Sequence, residues 1–219
     1  MSVSRRRAAP MAKRLLDLAI VIPALIFLCP IMLVVAVVVA LKLGRPVLFL
    51  QQRPGLGGKP FTLIKFRTML NASGRRASLE QDKERLTPFG QWLRSTSLDE
   101  LPELWNILKG EMSVVGPRPL LMQYLPRYSQ SQSRRHEVRP GLTGWAQING
   151  RNRISWDEKL ALDVWYVDNW SFLLDLKIIL LTLISVANRK GIAADGEPTM
   201  PEFMGPRTKP SQYCDSKKP

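Results

Sequence analysis

Residues Leu18 to Leu41 form an apolar run of about 24 residues that holds no charged side chain, contains Pro23 and Pro30, and is crowded by basic residues at both ends. As a helix this run is long enough to cross the hydrocarbon core of a bilayer, so the chain is built around a membrane. Arg5, Arg6, Arg7, Lys13 and Arg14 precede it, and Lys42, Arg45, Arg53, Lys59 and Lys65 follow it. Basic residues favour the cytoplasmic side, and both flanks satisfy that preference only if the segment turns back. Pro30 lies near the middle, where it removes a backbone hydrogen bond and clashes with the preceding turn. The sequence therefore predicts a re-entrant helix–break–helix with its break at Cys29 and Pro30. A kinked single span, oriented by the N-terminal charges alone, is the alternative. A cleaved signal peptide fits poorly, because the run is too long and no small-residue cleavage pattern follows it.

The formal charge is +14 with one histidine. Its distribution matters more than its total: 13 basic residues and a single acid, Asp17, lie between Met1 and Arg76. Near an anionic leaflet each Lys or Arg contributes roughly 1 kcal/mol, so membrane lipids are an expected partner. A pI near 10.3 would also suit nucleic acid. Helix-turn-helix, zinc-finger and aromatic RNA-binding spacings are all missing, and no nucleic-acid partner is expected. Cys29 in the apolar run and Cys214 in the polar tail make poor disulfide partners and fit a reducing cytosol.

The pattern predicts an α+β, helix-dominated chain with a short β-hairpin and surface amphipathic helices. Four segments are expected: a basic N-terminal segment over 1–12, the re-entrant membrane helix over 13–43, one compact domain over 44–190, and an extended tail over 191–219, rich in Gly, Pro, Lys and Ser. Pro46 to Arg53 and Phe61 to Arg67 read as β-strands joined by a Pro- and Gly-rich turn. Helical patterns cover Thr87–Arg94, Leu98–Lys109, Arg118–Tyr128, Ser155–Asn169 and Phe172–Arg189. In the last, Asp175 and Lys177 leave only Ile178 to Ala187 free of charge, too short for a span, so it should lie on the membrane surface or cover the core.

Ser97-Leu98-Asp99-Glu100-Leu101-Pro102 is the first candidate for chemistry. Pro102 belongs in a first helical turn, which places Asp99 and Glu100 at a helix start. Ser97 and Glu100 have capping-box spacing, so capping and catalysis weigh equally on this segment alone. The surrounding cations shift that balance. Arg118, between Pro117 and Pro119, presents a planar fork on a restricted backbone, suited to a phosphate. Lys65, Arg67, Arg94, Arg139 and Arg151 supply the further cations that a diphosphate site needs. Adjacent carboxylates could hold a divalent ion, or one could attack phosphorus. Asp163 falls on an apolar helical stripe with Trp156, Leu160 and Val167, so it should meet an arginine, a metal or a substrate; a structural salt bridge weighs equally. His136 reads as a solvated loop residue. There is no P-loop, no Asp-x-Asp pair and, with one histidine, no serine-triad set.

Taken in order, Lys13-Arg14-Leu15-Leu16-Asp17, the proline-broken apolar run, Lys65-Phe66-Arg67-Thr68-Met69, Ser97 to Pro102, Val115 to Pro119 and Arg139 to Trp145 resemble the bacterial sugar transferases, the monotopic phosphoglycosyl transferases of small, single-domain type. The resemblance implies transfer of a sugar 1-phosphate from a UDP-sugar to polyprenyl phosphate, commonly undecaprenyl phosphate, with Mg²⁺. The setting it implies is the cytoplasmic face of the bacterial inner membrane, at the first membrane step of glycan or glycoprotein-sugar assembly. It makes Asp99 the nucleophile, expelling UMP through a covalent phosphosugar intermediate, and gives Glu100 a metal-binding or proton-accepting role. Lys65, Arg94, Arg118 and Arg151 match positions expected around the phosphates, and Asp163 matches a family carboxylate of unassigned role. Two positions depart from the family: Cys29-Pro30 where Ser-Pro is common, and Pro54 where valine is usual. Gly196 to Pro201 resembles members that use N-acetylated sugars. A homo-oligomer stays open.

Overall fold

The computed structural model describes residues 9–70, 85–150, 154–187 and 202–205. Helix α1, Ala9–Leu43, runs without interruption through Pro23 and Pro30. The expected interruption at Cys29 and Pro30 is therefore not present as a break in helical structure. A 35-residue helix is about 50 Å long at 1.5 Å per residue. Val21, Ala24, Leu25 and Leu28 pack on one apolar cluster of the domain, and Met32, Val35, Ala36, Val39 and Leu43 on a second. Those positions recur every three or four residues and form one stripe. Ile22, Ile26, Phe27, Ile31, Leu33, Val34 and Val37 lie exposed around it, an apolar surface that water solvates poorly.

Both ends of α1 are tied to the same domain. Lys13 Nζ donates to Asp175 at 2.6 Å, Arg14 donates to the carbonyls of Ile107 and Leu108, and Asp17 accepts from Ser113 Oγ and the Val114 N–H, each at 2.9 Å. At the other end Arg67 donates to the carbonyls of Leu43, Gly44 and Arg45, satisfying acceptors that a helix C-terminus leaves open.

Strands β1, Leu48–Pro54, and β2, Pro60–Phe66, form the expected antiparallel hairpin, with Leu48 opposite Phe66. Helix α2, Pro88–Ser95, approaches the chain just past β2 closely: a Cβ on Gly90 would lie 1.9 Å from the Thr68 carbonyl oxygen, so only glycine fits. Helix α3, Glu103–Lys109, is stitched to β2 by the buried Asn106, which donates to the Thr62 carbonyl and accepts from the Ile64 N–H. Strand β3, Ser113–Val115, pairs in parallel with β4, Gly141–Thr143. Neither of these strands was expected from the sequence. Gly116 and Gly141 sit backbone to backbone, where a Cβ on either would come within 2.4 Å of main-chain atoms, and the pairing depends on their lack of side chains.

Short helices α4, Gln130–Ser133, and α5, Trp145–Asn149, precede α6, Trp156–Asn169, and α7, Phe172–Ala187. In α7 Asp175 and Ile178 are fully buried, whereas Phe172, Leu173, Leu180, Leu183 and Ile184 are exposed, so this helix covers the core and also offers an apolar outer face. The predicted helix over Arg118–Tyr128 is instead an extended turn followed by a 3₁₀ segment, Met122–Arg127, in line with Pro117, Pro119 and Pro126. Phe203, in the segment expected to be an extended tail, is buried among Tyr124, Tyr128 and Trp156, and Glu202 accepts from Arg127 and Gln123.

Candidate active site

Ser97 has φ +56°, the one non-glycine residue with positive φ among the described residues, and reverses the chain after α2. Its side chain makes no capping hydrogen bond. Asp99 and Glu100 then lie in a 3₁₀ turn, Leu98–Glu100, one turn ahead of α3, with Pro102 at the N-cap position. The capping-box reading of this motif is thereby removed, because Glu100 points elsewhere. Its Oε1 accepts from Lys65 Nζ at 2.7 Å and from Arg118 Nη2 at 2.5 Å. Lys65 reaches it from the end of β2 and Arg118 from the Pro-flanked turn after β3.

The electrostatics of the two acids diverge. Burial, and then the charge of Glu100, push Asp99 up to about 6, against weaker pulls from Lys65, Arg118 and Arg94. Burial also pushes Glu100 up, but Arg118 and Lys65 together outweigh it and draw it down to about 2. Among the described residues none donates a hydrogen bond to the Asp99 carboxylate, although Asp99 is only 7% exposed. An ionised, uncapped carboxylate beside fixed cations is a nucleophile or a cation ligand at neutral pH. Two adjacent carboxylates suit Mg²⁺, which takes one or two of them and fills its shell with water and substrate phosphates. Among the described residues no cluster of three or more His, Cys, Asp or Glu side chains is arranged for a metal.

Arg94, on α2, donates from Nε to Thr68 Oγ1 at 3.0 Å and acts on Asp99 through its charge. Asp163 lies outside this first layer. Arg135 binds its Oδ2 through Nε at 3.0 Å and Nη2 at 2.7 Å, with both side chains almost fully buried. The same Nη2 donates to the Arg118 carbonyl at 2.7 Å. Asp163 thus anchors an arginine that holds Arg118 by its backbone, the arginine contact that its place on an apolar stripe called for. Arg151 lies outside the described residues. Cys29 is exposed on α1, with no described role in the acidic site.

Sequence reasoning missed four residues. Glu103 is buried and accepts from Lys65 at 3.0 Å, and burial is the main cause that raises it to about 7. Its signal was a third acid four residues after Asp99. Arg135 is buried, and so is His136, which the sequence placed in a solvated loop. Burial, and then Arg135, depress His136 to about 4, so it stays neutral. Lys159, one helical turn before Asp163, is buried as well.

The family model for bacterial sugar transferases matches residues 8–189, which takes in α1, both strand pairs, the acidic turn and α7. The uncharacterized sugar transferase EpsL of Bacillus subtilis (strain 168) is 56% identical over 193 residues, covering 88% of this chain and 96% of that protein. UDP-glucose:undecaprenyl-phosphate glucose-1-phosphate transferases of Xanthomonas campestris pv. campestris and Klebsiella pneumoniae are 40% and 44% identical, over 86% and 78% of this chain. The chain spans 41% and 39% of the length of those two relatives. With its acidic turn, its Pro-flanked arginine and its apolar helix all inside the matched region, the chain belongs to the bacterial sugar transferase family.

Proposed function

We propose that this protein is a phosphoglycosyl transferase that moves a sugar 1-phosphate from a UDP-sugar to polyprenyl phosphate, with undecaprenyl phosphate as the acceptor that relatives carry in their names. The observation that carries the reading is the asymmetric acidic pair: Glu100 neutralised by Lys65 and Arg118, Asp99 left uncapped beside them. An Asp99 carboxylate oxygen attacks the phosphorus that bears the sugar, and the bond from that phosphorus to the UMP oxygen breaks. UMP departs with its charge offset by Arg118 and Lys65. An oxygen of the lipid phosphate then attacks the same phosphorus and releases Asp99, giving polyprenyl-diphosphate-sugar. Glu100, held ionised, orients the two cations. Mg²⁺ held by Asp99 and Glu100 would screen the diphosphate and activate its phosphorus toward attack.

The lipid acceptor requires the site at a bilayer boundary. In this reading α1 enters and leaves one leaflet, with the domain on the cytoplasmic side of the inner membrane. Support comes from the basic flanks and from the attachment of Asp17 and of Leu43 to the same domain, which a straight span would place on opposite sides. Pro30 supplies the point at which the helix can bend in lipid. The N-acetylated class of sugar rests on the resemblance of Gly196 to Pro201, which lie outside the described residues. Incubation with UDP-sugars, Mg²⁺ and polyprenyl phosphate should release UMP; release of UDP would indicate a glycosyltransferase that leaves the phosphate behind.

A further inference from the structure

Glu103 is the third acid at this site, and the register of α3 on β2 decides what it meets. Asn106 bonds the backbone of Thr62 and Ile64. Glu103 stands three residues earlier on α3, hence on the same face of the helix, and meets the next residue along the strand, Lys65. Glu103 and Asn106 are both buried. Lys65 Nζ is thereby held between acids from two different elements, 2.7 Å from Glu100 Oε1 in the 3₁₀ turn and 3.0 Å from Glu103 Oε1 on α3. Asp99, the neighbour of Glu100, receives no hydrogen bond from it.

A lysine alone does not make that choice. Its ammonium is a point charge on a flexible four-carbon stem with three rotatable donors, and it binds whichever carboxylate it reaches. On Asp99 it would occupy a lone pair that attack on phosphorus needs and draw charge from the attacking oxygen. A second anchor removes the freedom. With one N–H on Glu103 and one on Glu100 the stem is fixed, and only the third N–H is left for a phosphate oxygen of the donor. Arg118 does not supply that restraint, since it binds the same Glu100 oxygen as Lys65. We infer that Glu103 is a positioning residue that directs Lys65 to Glu100 and keeps it off Asp99, so that the attacking carboxylate stays uncapped until the donor arrives. The inference rests on the reaction proposed above and adds to it the residue that selects which of two adjacent acids is left free. Glu103 touches no reacting atom in this role; it acts through Lys65 alone.

The test uses the full chain in nanodiscs, with single-turnover release of UMP from UDP-sugar measured before any lipid acceptor is added. Glu103→Ala should lower the rate at saturating donor on the order of a hundredfold, the loss that misplacement by about an ångström produces, and move the half-saturating donor concentration by no more than a few-fold. Glu103→Gln keeps an acceptor oxygen for the ammonium and should restore the rate to within a few-fold of the parent. Because Glu103 acts through Lys65, the double variant Lys65→Met with Glu103→Ala should be no slower than Lys65→Met alone. Circular dichroism checks the fold, and Glu103→Leu, which fills the buried space with apolar atoms, replaces the alanine variant if that one does not fold. A folded alanine or leucine variant that releases UMP at the parent rate, a glutamine variant as slow as the alanine one, or a double variant slower than Lys65→Met overturns the positioning role. A parent chain that releases no UMP overturns the reaction reading itself, and the positioning role with it.

Discussion

Lys65 and Arg118 both bind Oε1 of Glu100, at 2.7 and 2.5 Å, while its neighbour Asp99 receives a hydrogen bond from neither. Adjacent acids in one turn thus stand in opposite surroundings: Glu100 holds two cations, and Asp99 is left without a hydrogen-bond donor among the described residues, as the proposed attack on phosphorus requires. Pairs of titratable groups whose surroundings push them apart are the usual mark of divided chemical roles.

The pH dependence follows from that pair. Asp99, raised to about 6, must be ionised to attack. Release of UMP in the absence of lipid acceptor should therefore fall about tenfold per pH unit below that value, while Glu100, drawn to about 2, stays ionised throughout. Stopped-flow detection of UMP across pH 5 to 8 checks this; a flat profile contradicts it.

Stability should move the other way. A carboxylate whose folded value is raised makes the native state bind more protons than the unfolded chain, so its contribution is present below the unfolded value near 3.8 and is lost as pH rises through about 6. Asp99→Asn should therefore stabilise the fold at pH 8 by the order of 2 kcal/mol and have no such effect at pH 3.5. Thermal melts at the two pH values measure the difference, and an equal effect at both would show that burial of this carboxylate is not the cause.

Asp163→Asn should leave Arg135 buried without its counter-charge, at a cost of about 3–5 kcal/mol. Arg118 would lose its backbone support, so KM for the UDP-sugar should rise in whatever fraction stays folded. The paired change Asp163→Leu with Arg135→Met should recover much of the stability but not the KM, because the bond from Arg135 to the Arg118 carbonyl is gone. Recovery of both would show that the pair serves stability alone.

The apolar run, the hairpin, the acidic turn and the Pro-flanked arginine were legible because each depends on local chemistry: hydropathy, turn residues, charge beside proline. Arg135 and Lys159 were not, because a basic residue within Arg134-Arg135-His136-Glu137 or on a polar-looking helix reads as solvated until tertiary packing buries it. The β3–β4 pairing was missed for a related reason. It joins segments of three residues each, held by the mutual approach of Gly116 and Gly141, which no periodicity announces. Phe203 was read as part of an extended tail from the composition around it, whereas one aromatic side chain is enough to dock that segment.

Phe203→Ala should cost about 3–5 kcal/mol by opening a cavity among Tyr124, Tyr128 and Trp156. Chemical denaturation of the detergent-solubilised protein measures it. A loss below 1 kcal/mol would mean the tail contributes little to the domain.

The attachment of both ends of α1 to one domain predicts that Ser4 and Gly57, each replaced by cysteine in a Cys29→Ser, Cys214→Ser background, are labelled from the same side of sealed vesicles. Labelling from opposite sides would establish a true span.

The central claim is that Asp99 becomes bonded to phosphorus during turnover. Rapid quenching with UDP-sugar labelled in the sugar, before lipid acceptor is added, should give a phosphosugar adduct that peptide mass spectrometry places on Asp99 and that disappears when polyprenyl phosphate is added. Absence of any adduct, together with kinetics that require donor and acceptor bound at the same time, would contradict it.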